Sequence, residues 1–150
     1  MKYAANTSVS SERSKAEIER MLTRYGATSF ASGWQHDQAV IQFHMRERRL
    51  KFVLPLPSKT VKEFTHSTRG PRSEADAYKL WEKATRQRWR ALALVVKAKL
   101  EAVETNISSF EAEFLAHIVM PDGKTVAEHA RPMIAQAYKS GKVTALLPGW

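Results

Sequence analysis

Ala39-Val40-Ile41-Gln42-Phe43-His44-Met45, then Arg46-Glu47-Arg48-Arg49, then Leu50-Lys51-Phe52-Val53-Leu54 is the stretch that decides the fold. Ala39, Ile41, Phe43 and Met45 alternate with Val40, Gln42 and His44, which is the period of a strand with one buried face. Leu50, Phe52 and Leu54 alternate with Lys51 and Val53 in the same way. The second segment is therefore expected to pair back on the first as a hairpin, with Arg46 to Arg49 as its connection and Pro55 and Pro57 as its end. Upstream, Thr28 to Trp34 reads as another strand, joined through Gln35-His36-Asp37-Gln38. Together they make a three-stranded antiparallel meander.

Helices flank this meander. Ser14 followed by Glu17 has capping-box spacing, and Ile18, Met21, Leu22 and Tyr25 fall on one face of a helix that Gly26 would stop. Downstream, Pro55 to Arg72 reads as a long connection with Val61 and Phe64 as anchors, a length typical of functional or mobile loops. Ser73 is then placed to cap a long helix, with Glu74 and Asp76 in its first turn. Ala77, Trp81, Ala84, Leu92, Val95 and Val103 keep an apolar stripe along it, which assigns Trp81 to the core. Ala91 to Val96 is apolar all round and is expected to be buried on most sides.

Beyond Thr105-Asn106, Ser108 and Glu111 have capping spacing for a short helix carrying Phe110, Phe114 and Ile118. Pro121-Asp122-Gly123 is a turn, and Thr125 with Glu128 starts a last helix that Pro132 should kink and Gly141 end. The alternative is a small hairpin of Ile118-Val119-Met120 and Lys124-Thr125-Val126 about that turn. The expected class is α+β: N-terminal helix, three-stranded antiparallel meander, long central helix and helical C-terminal tail. A single domain over 1–150 is expected, with a basic core over about 10–105 and a mildly acidic tail over about 106–150.

Composition agrees with one packed domain. The chain has 150 residues, 43% of them hydrophobic, with six Gly, six Pro and no Cys. That content argues against a disordered or collagen-like chain. The missing cysteine removes disulfides, thiolate zinc sites, iron-sulfur clusters and a cysteine nucleophile. Tyr3-Ala4-Ala5-Asn6-Thr7-Ser8 is too polar for the apolar part of a signal peptide, and Ala91 to Val96 is too short to span a bilayer. A cytoplasmic protein with no membrane contact is expected.

The charge is regional. Residues 1–100 hold 20 basic and 9 acidic side chains, while residues 101–150 hold 4 and 6, within a net charge of +9. Two clusters stand out. One is the hairpin tip, Arg46, Arg48 and Arg49 with Lys51 beyond. The other is one face of the long helix, Lys79, Lys83, Arg86, Arg90 and Lys97, spaced by four, three, four and seven. Arg69 and Arg72 on the long connection, with Lys59 and Lys62, extend it. A basic stripe of this kind is the footprint of a protein that lies on a phosphate backbone. Trp34 and Trp89, among or beside these charges, are candidates for stacking on an unpaired base. A solvated amphipathic helix presents the same kind of face, and Glu82 with Arg86 and Lys97 with Glu101 are spaced to neutralise part of it.

Catalytic motifs are absent. There is no HExxH, no glycine-rich phosphate loop and no nucleophile elbow, so no catalytic residue and no cofactor is expected. His117, Asp122 and His129 could converge about the Pro-Asp-Gly turn as a metal or acid-base site, although a packed His117 and a surface His129 are the simpler assignment.

Several segments carry a family likeness. Ser14-Lys15-Ala16-Glu17-Ile18-Glu19, Arg24-Tyr25-Gly26-Ala27-Thr28, Leu54-Pro55-Leu56-Pro57 with Glu63-Phe64-Thr65, Arg86-Gln87-Arg88-Trp89-Arg90-Ala91-Leu92-Ala93-Leu94 and Phe114-Leu115-Ala116-His117-Ile118-Val119-Met120-Pro121-Asp122-Gly123 form one set. Across nearly the whole chain they resemble a widespread, uncharacterised group of small proteins encoded by bacteriophages and prophages. The resemblance implies a mobile-element setting and supplies no catalytic or binding residue. The element order is also similar to a double-stranded-RNA-binding domain, but Ser73-Glu74-Ala75-Asp76 stands where that family has a lysine cluster, and the preceding connection is too long. Three strands followed by a long basic helix are similar to the kernel of phage single-strand annealing proteins.

The leading expectation is a non-enzymatic phage accessory protein that binds nucleic acid, DNA first, through the hairpin tip and helix face. The alternative is a phage protein that binds and inhibits a host protein such as a defence nuclease complex, with the apolar Ala145-Leu146-Leu147-Pro148-Gly149-Trp150 tail as a candidate anchor. A metal-dependent nuclease using His117, Asp122 and His129 is the third.

Overall fold

Two residues, Arg46 and Glu47, make the tight turn of the central hairpin, both in the left-handed region at φ 50° and 63°. A two-residue turn of this hand matches the right-handed twist of the strands it joins. Arg48 and Arg49 therefore belong to a strand, not to the connection. The computed structural model describes residues 9–143, and the expected tail anchor at Ala145–Trp150 lies outside them. Strand β1 spans Ser29–Gln35, β2 Gln38–Met45 and β3 Arg48–Pro55, all antiparallel in the order β1-β2-β3. The register sets Ile41 opposite Phe52 and Phe43 opposite Leu50. Because opposed residues share a face, Ala39, Ile41, Phe43, Met45, Leu50, Phe52 and Leu54 form one continuous buried apolar surface.

Helix α1 (Ser11–Arg24) and helix α3 (Glu74–Glu104, 31 residues) pack against each other and contribute Ile18, Leu22, Trp89, Leu92, Ala93, Val96 and Leu100 to the same core. The α1 cap is Ser10, whose hydroxyl accepts from the Arg13 backbone N–H at 3.1 Å. Ser14, the expected cap, lies one turn inside the helix and is fully buried. Ser73 does cap α3, accepting from Asp76 N at 3.2 Å. The middle of α3 is not buried all round, since Ala91 and Val95 face solvent. An exposed Ala or Val costs little, so a short apolar run does not have to be enclosed.

The segment between β3 and α3 folds into a single helical turn, α2 (Lys62–Thr65), and a two-residue hairpin, β4 (His66–Ser67) with β5 (Gly70–Pro71). Phe64 anchors it in the interior, whereas Val61 stays exposed. Its Glu63 and Phe64 carbonyls accept from the Arg72 guanidinium at 2.7 and 3.1 Å.

Helix α4 (Phe110–Phe114) is capped by Ser109, not Ser108. Its Phe114 meets Phe43 and Phe52 edge-on at 6.5 and 6.2 Å. After a single 3-10 turn over Leu115–His117, the chain forms the small hairpin that the sequence offered as the alternative. Val119 pairs with Thr125, Met120 N donates to the Lys124 carbonyl at 2.8 Å, and Gly123 takes φ 89°. Ile118 bridges to Leu50, which extends the sheet beyond β3. Helix α5 (Val126–Ser140), capped by Thr125 and ended by Gly141 in the left-handed region, runs through Pro132 and buries no residue completely. No helix among the described residues is long and apolar enough to cross a membrane.

Candidate functional site

The cationic side chains anticipated at the surface divide by what they touch. On α3, Lys79 and Lys83 are exposed, Arg86 is paired to Glu82 at 3.2 Å, and Arg90 is paired to Glu17 of α1 at 2.5 Å. Lys97 is exposed further along the same helix. At the hairpin, Arg46 lies 5.1 Å from the Phe110 ring centroid, and Arg48 and Arg49 project from β3. Lys51 is half-buried, with Nζ 4.0 Å from the Glu128 carboxylate. Arg69 is exposed on the β4-β5 turn, while Arg72 is committed to the α2 carbonyls and serves the fold. The two stacking candidates separate sharply. Trp34 is 79% exposed at the end of β1, but Trp89 is 3% exposed, with Lys15 Nζ 4.9 Å from its centroid. Trp89 is a core residue and offers no face to a base.

Packing of α1 on α3 creates a feature that neither charge cluster contained. A groove of about 490 Å³ runs between the two helices, lined by Arg13, Arg20 and Arg24 from α1 and by Arg90 and Lys97 from α3. Met21, Tyr25 and Leu100 form its apolar lining, and Glu17 and Glu101 are its two carboxylates. Arg13, Glu17, Arg20 and Arg24 follow one another by four, three and four residues, so they share one face of α1. That spacing is the signal in the sequence that points to them. Five cations thus face two carboxylates, and one of those carboxylates already holds Arg90. The fork of an arginine suits the oxygens of a phosphate, and Arg13, Arg20 and Arg24 lie exposed along one face of α1.

Hairpin arginines Arg48 and Arg49 face a different surface. With Glu47 and Glu111 they rim an apolar groove of about 990 Å³ lined by Leu115, Ile118, Met120, Val126, Ala130 and Ile134.

Of the three residues of the metal-site expectation, Asp122 and His129 pair with each other and His117 packs elsewhere. His117 stacks on Phe52, with ring centroids 3.8 Å apart, and its Nδ1 lies 3.3 Å from the Lys51 carbonyl oxygen. Burial, aided by the charge of Lys99, lowers its pKa below 6.5. His129 Nε2 lies 2.7 Å from Asp122 Oδ2. The Lys124 backbone N–H, at 3.0 Å, does most to hold the Asp122 carboxyl below its usual range, with His129 adding to it. Among the described residues no cluster of three or more His, Asp or Glu side chains is arranged to hold a metal ion. No family model, curated protein or solved structure matches the chain.

Proposed function

We propose that the chain is a nucleic-acid-binding protein without catalytic activity, of the accessory kind that bacteriophages encode, and that phosphates lie in the groove between α1 and α3. The observation that carries this reading is the set of five cations, Arg13, Arg20, Arg24, Arg90 and Lys97, lining one groove against Glu17 and Glu101. Phosphate contacts fix position without reading sequence, so the binding is sequence-independent. Exposed Lys79, Lys83 and Arg69 add to the attracting field.

Measured by anisotropy on a labelled DNA strand, log affinity should fall linearly with log salt. Replacing Arg20 and Arg24 by Gln should reduce that slope by about 1.4 to 1.8, the share of two lost phosphate contacts. Binding absent at low salt, or a slope unmoved by these substitutions, overturns the proposal.

A second reading is supported by the apolar groove beside α5, whose composition, apolar within and charged at the rim, is that of a protein interface. On that reading the chain captures a host protein. A stoichiometric partner recovered from nuclease-treated lysate, lost with Ile134→Asp and retained with the Arg20 and Arg24 substitutions, would favour it over nucleic acid.

A further inference from the structure

A third concavity, a pocket of about 390 Å³, opens between the end of β1, the start of α1 and the first turns of α3. Its walls are aromatic. Trp34 pairs with Ala39 across the sheet, which turns its side chain toward the helix layer, and most of its indole remains open. Tyr78 and Trp81 stand on the other side, with ring centroids 5.6 Å apart and planes tilted by 38°. Trp81 is held in place because its indole N–H donates to the Pro57 carbonyl at 2.8 Å. Tyr78 is half exposed, with the Lys59 ammonium 5.6 Å from its ring centroid and the rest of the ring open to a ligand. Trp89 and Ala39 close the interior end.

The polar groups narrow the ligand class. Thr85 lines the pocket, is 8% exposed, and has a hydroxyl with no hydrogen-bond partner, so a donor or acceptor is buried there unused. Three carboxylates line the pocket: Glu12 is bonded by Lys15 at 3.1 Å, Glu82 by Arg86 at 3.2 Å, and Asp37 lies in the turn between β1 and β2. Lys59 lies 4.5 Å from the Trp81 centroid and 5.6 Å from that of Tyr78. A cationic ligand would have to displace this ammonium from the rings. A neutral planar ring stacked on the aromatic surface that the ammonium leaves open would not, and an anion attached to it would meet Lys59.

We propose that this pocket takes one unpaired nucleobase, stacked against Trp34 and Tyr78, with Thr85 bonding its polar edge and Lys59 near its phosphate. The inference rests on the nucleic-acid reading of the groove and names its preferred form, a single strand. In a duplex the base faces are covered by their neighbours, and the pocket has nothing to hold.

The test uses the full chain and three probes: an oligo-dT of about a dozen nucleotides, an abasic strand with the same number of phosphates, and a blunt duplex of equal length. Oligo-dT should bind about 5- to 150-fold more tightly than the abasic strand, the range of one stacked base, and should quench tryptophan emission. Trp34→Ala and Tyr78→Ala should each remove most of that difference and leave the salt slope unchanged, since neither side chain contacts phosphate. Both are surface substitutions, and circular dichroism should match the parent. Equal affinity for oligo-dT and the abasic strand, or a difference that survives both substitutions, overturns the pocket assignment and leaves the groove reading intact. Failure of all three probes at low salt overturns both. Displacement of Lys59 by choline, seen as quenching by choline and not by oligo-dT, would make the pocket a quaternary-ammonium cage and overturn the base assignment.

Discussion

His117 shows how one side chain can have two functional assignments in sequence and neither in the fold. It stacks flat on Phe52, which Phe114 meets edge-on, and its pKa is lowered first by burial and then by Lys99. A histidine with a folded pKa below its unfolded value of 6.5 contributes stability that is complete above that value and is lost as pH falls toward the folded pKa. Urea midpoints should therefore drop from pH 6.5 downward, and His117→Gln should flatten that part of the profile. Asp122, also lowered, acts in the same sense in a separate window, below its ordinary 3.8. A midpoint that stays flat as pH falls below 6.5 in the parent chain would contradict the burial of His117. At the same scale, the Ser14 and Glu17 spacing predicted a cap, but Glu17 is taken by Arg90, 73 residues away, and Ser14 is buried. Local spacing carries no information about a partner that distant.

Among the elements, the hairpin was the most legible because period-2 alternation over Ala39–Leu54 leaves one register that buries the apolar set. Ser73 was legible for a similar reason, with two carboxylates in the first turn agreeing with the cap. Less was legible where two solutions bury nearly the same surface. Ile118 to Val126 has too few residues to distinguish helix from hairpin, and the pairing with β3 decided it. The basic groove was illegible as a groove, although each of its α1 cations lies on one face, because its existence depends on how α1 docks on α3. Trp89 was misassigned for the same reason, being 3% exposed with Lys15 of α1 over its ring, whereas Trp81, assigned to the core, is only partly buried and bonds to Pro57.

Helix α5 differs from the others in having no fully buried residue, with Ile134 and Tyr138 exposed. In native-state hydrogen exchange its amides should open at a small fraction of the global free energy, while Ile41 and Phe43 of β2 and Val96 of α3 should exchange only on global unfolding. Protection of α5 equal to that of β2 would show that a surface outside the described residues covers it.

For the whole molecule, the division of charge and aromatic surface follows the division of layers. The helix layer carries both the cationic groove and the aromatic pocket, whereas the far edge of the sheet carries the apolar groove beside α5. The net charge of +9 is thus less informative than its placement.

Helix α3 gives that placement a length. Tyr78 of the aromatic pocket and Lys97 of the basic groove are 19 positions apart on this one helix, about 28 Å at 1.5 Å per residue. A stacked strand advances about 3.4 Å per phosphate, so about eight nucleotides cover the distance. The helix is in effect a ruler for a strand that fills both sites from end to end. Affinity should climb with oligonucleotide length up to about eight nucleotides, where a strand spans both sites in full, and only slowly beyond it.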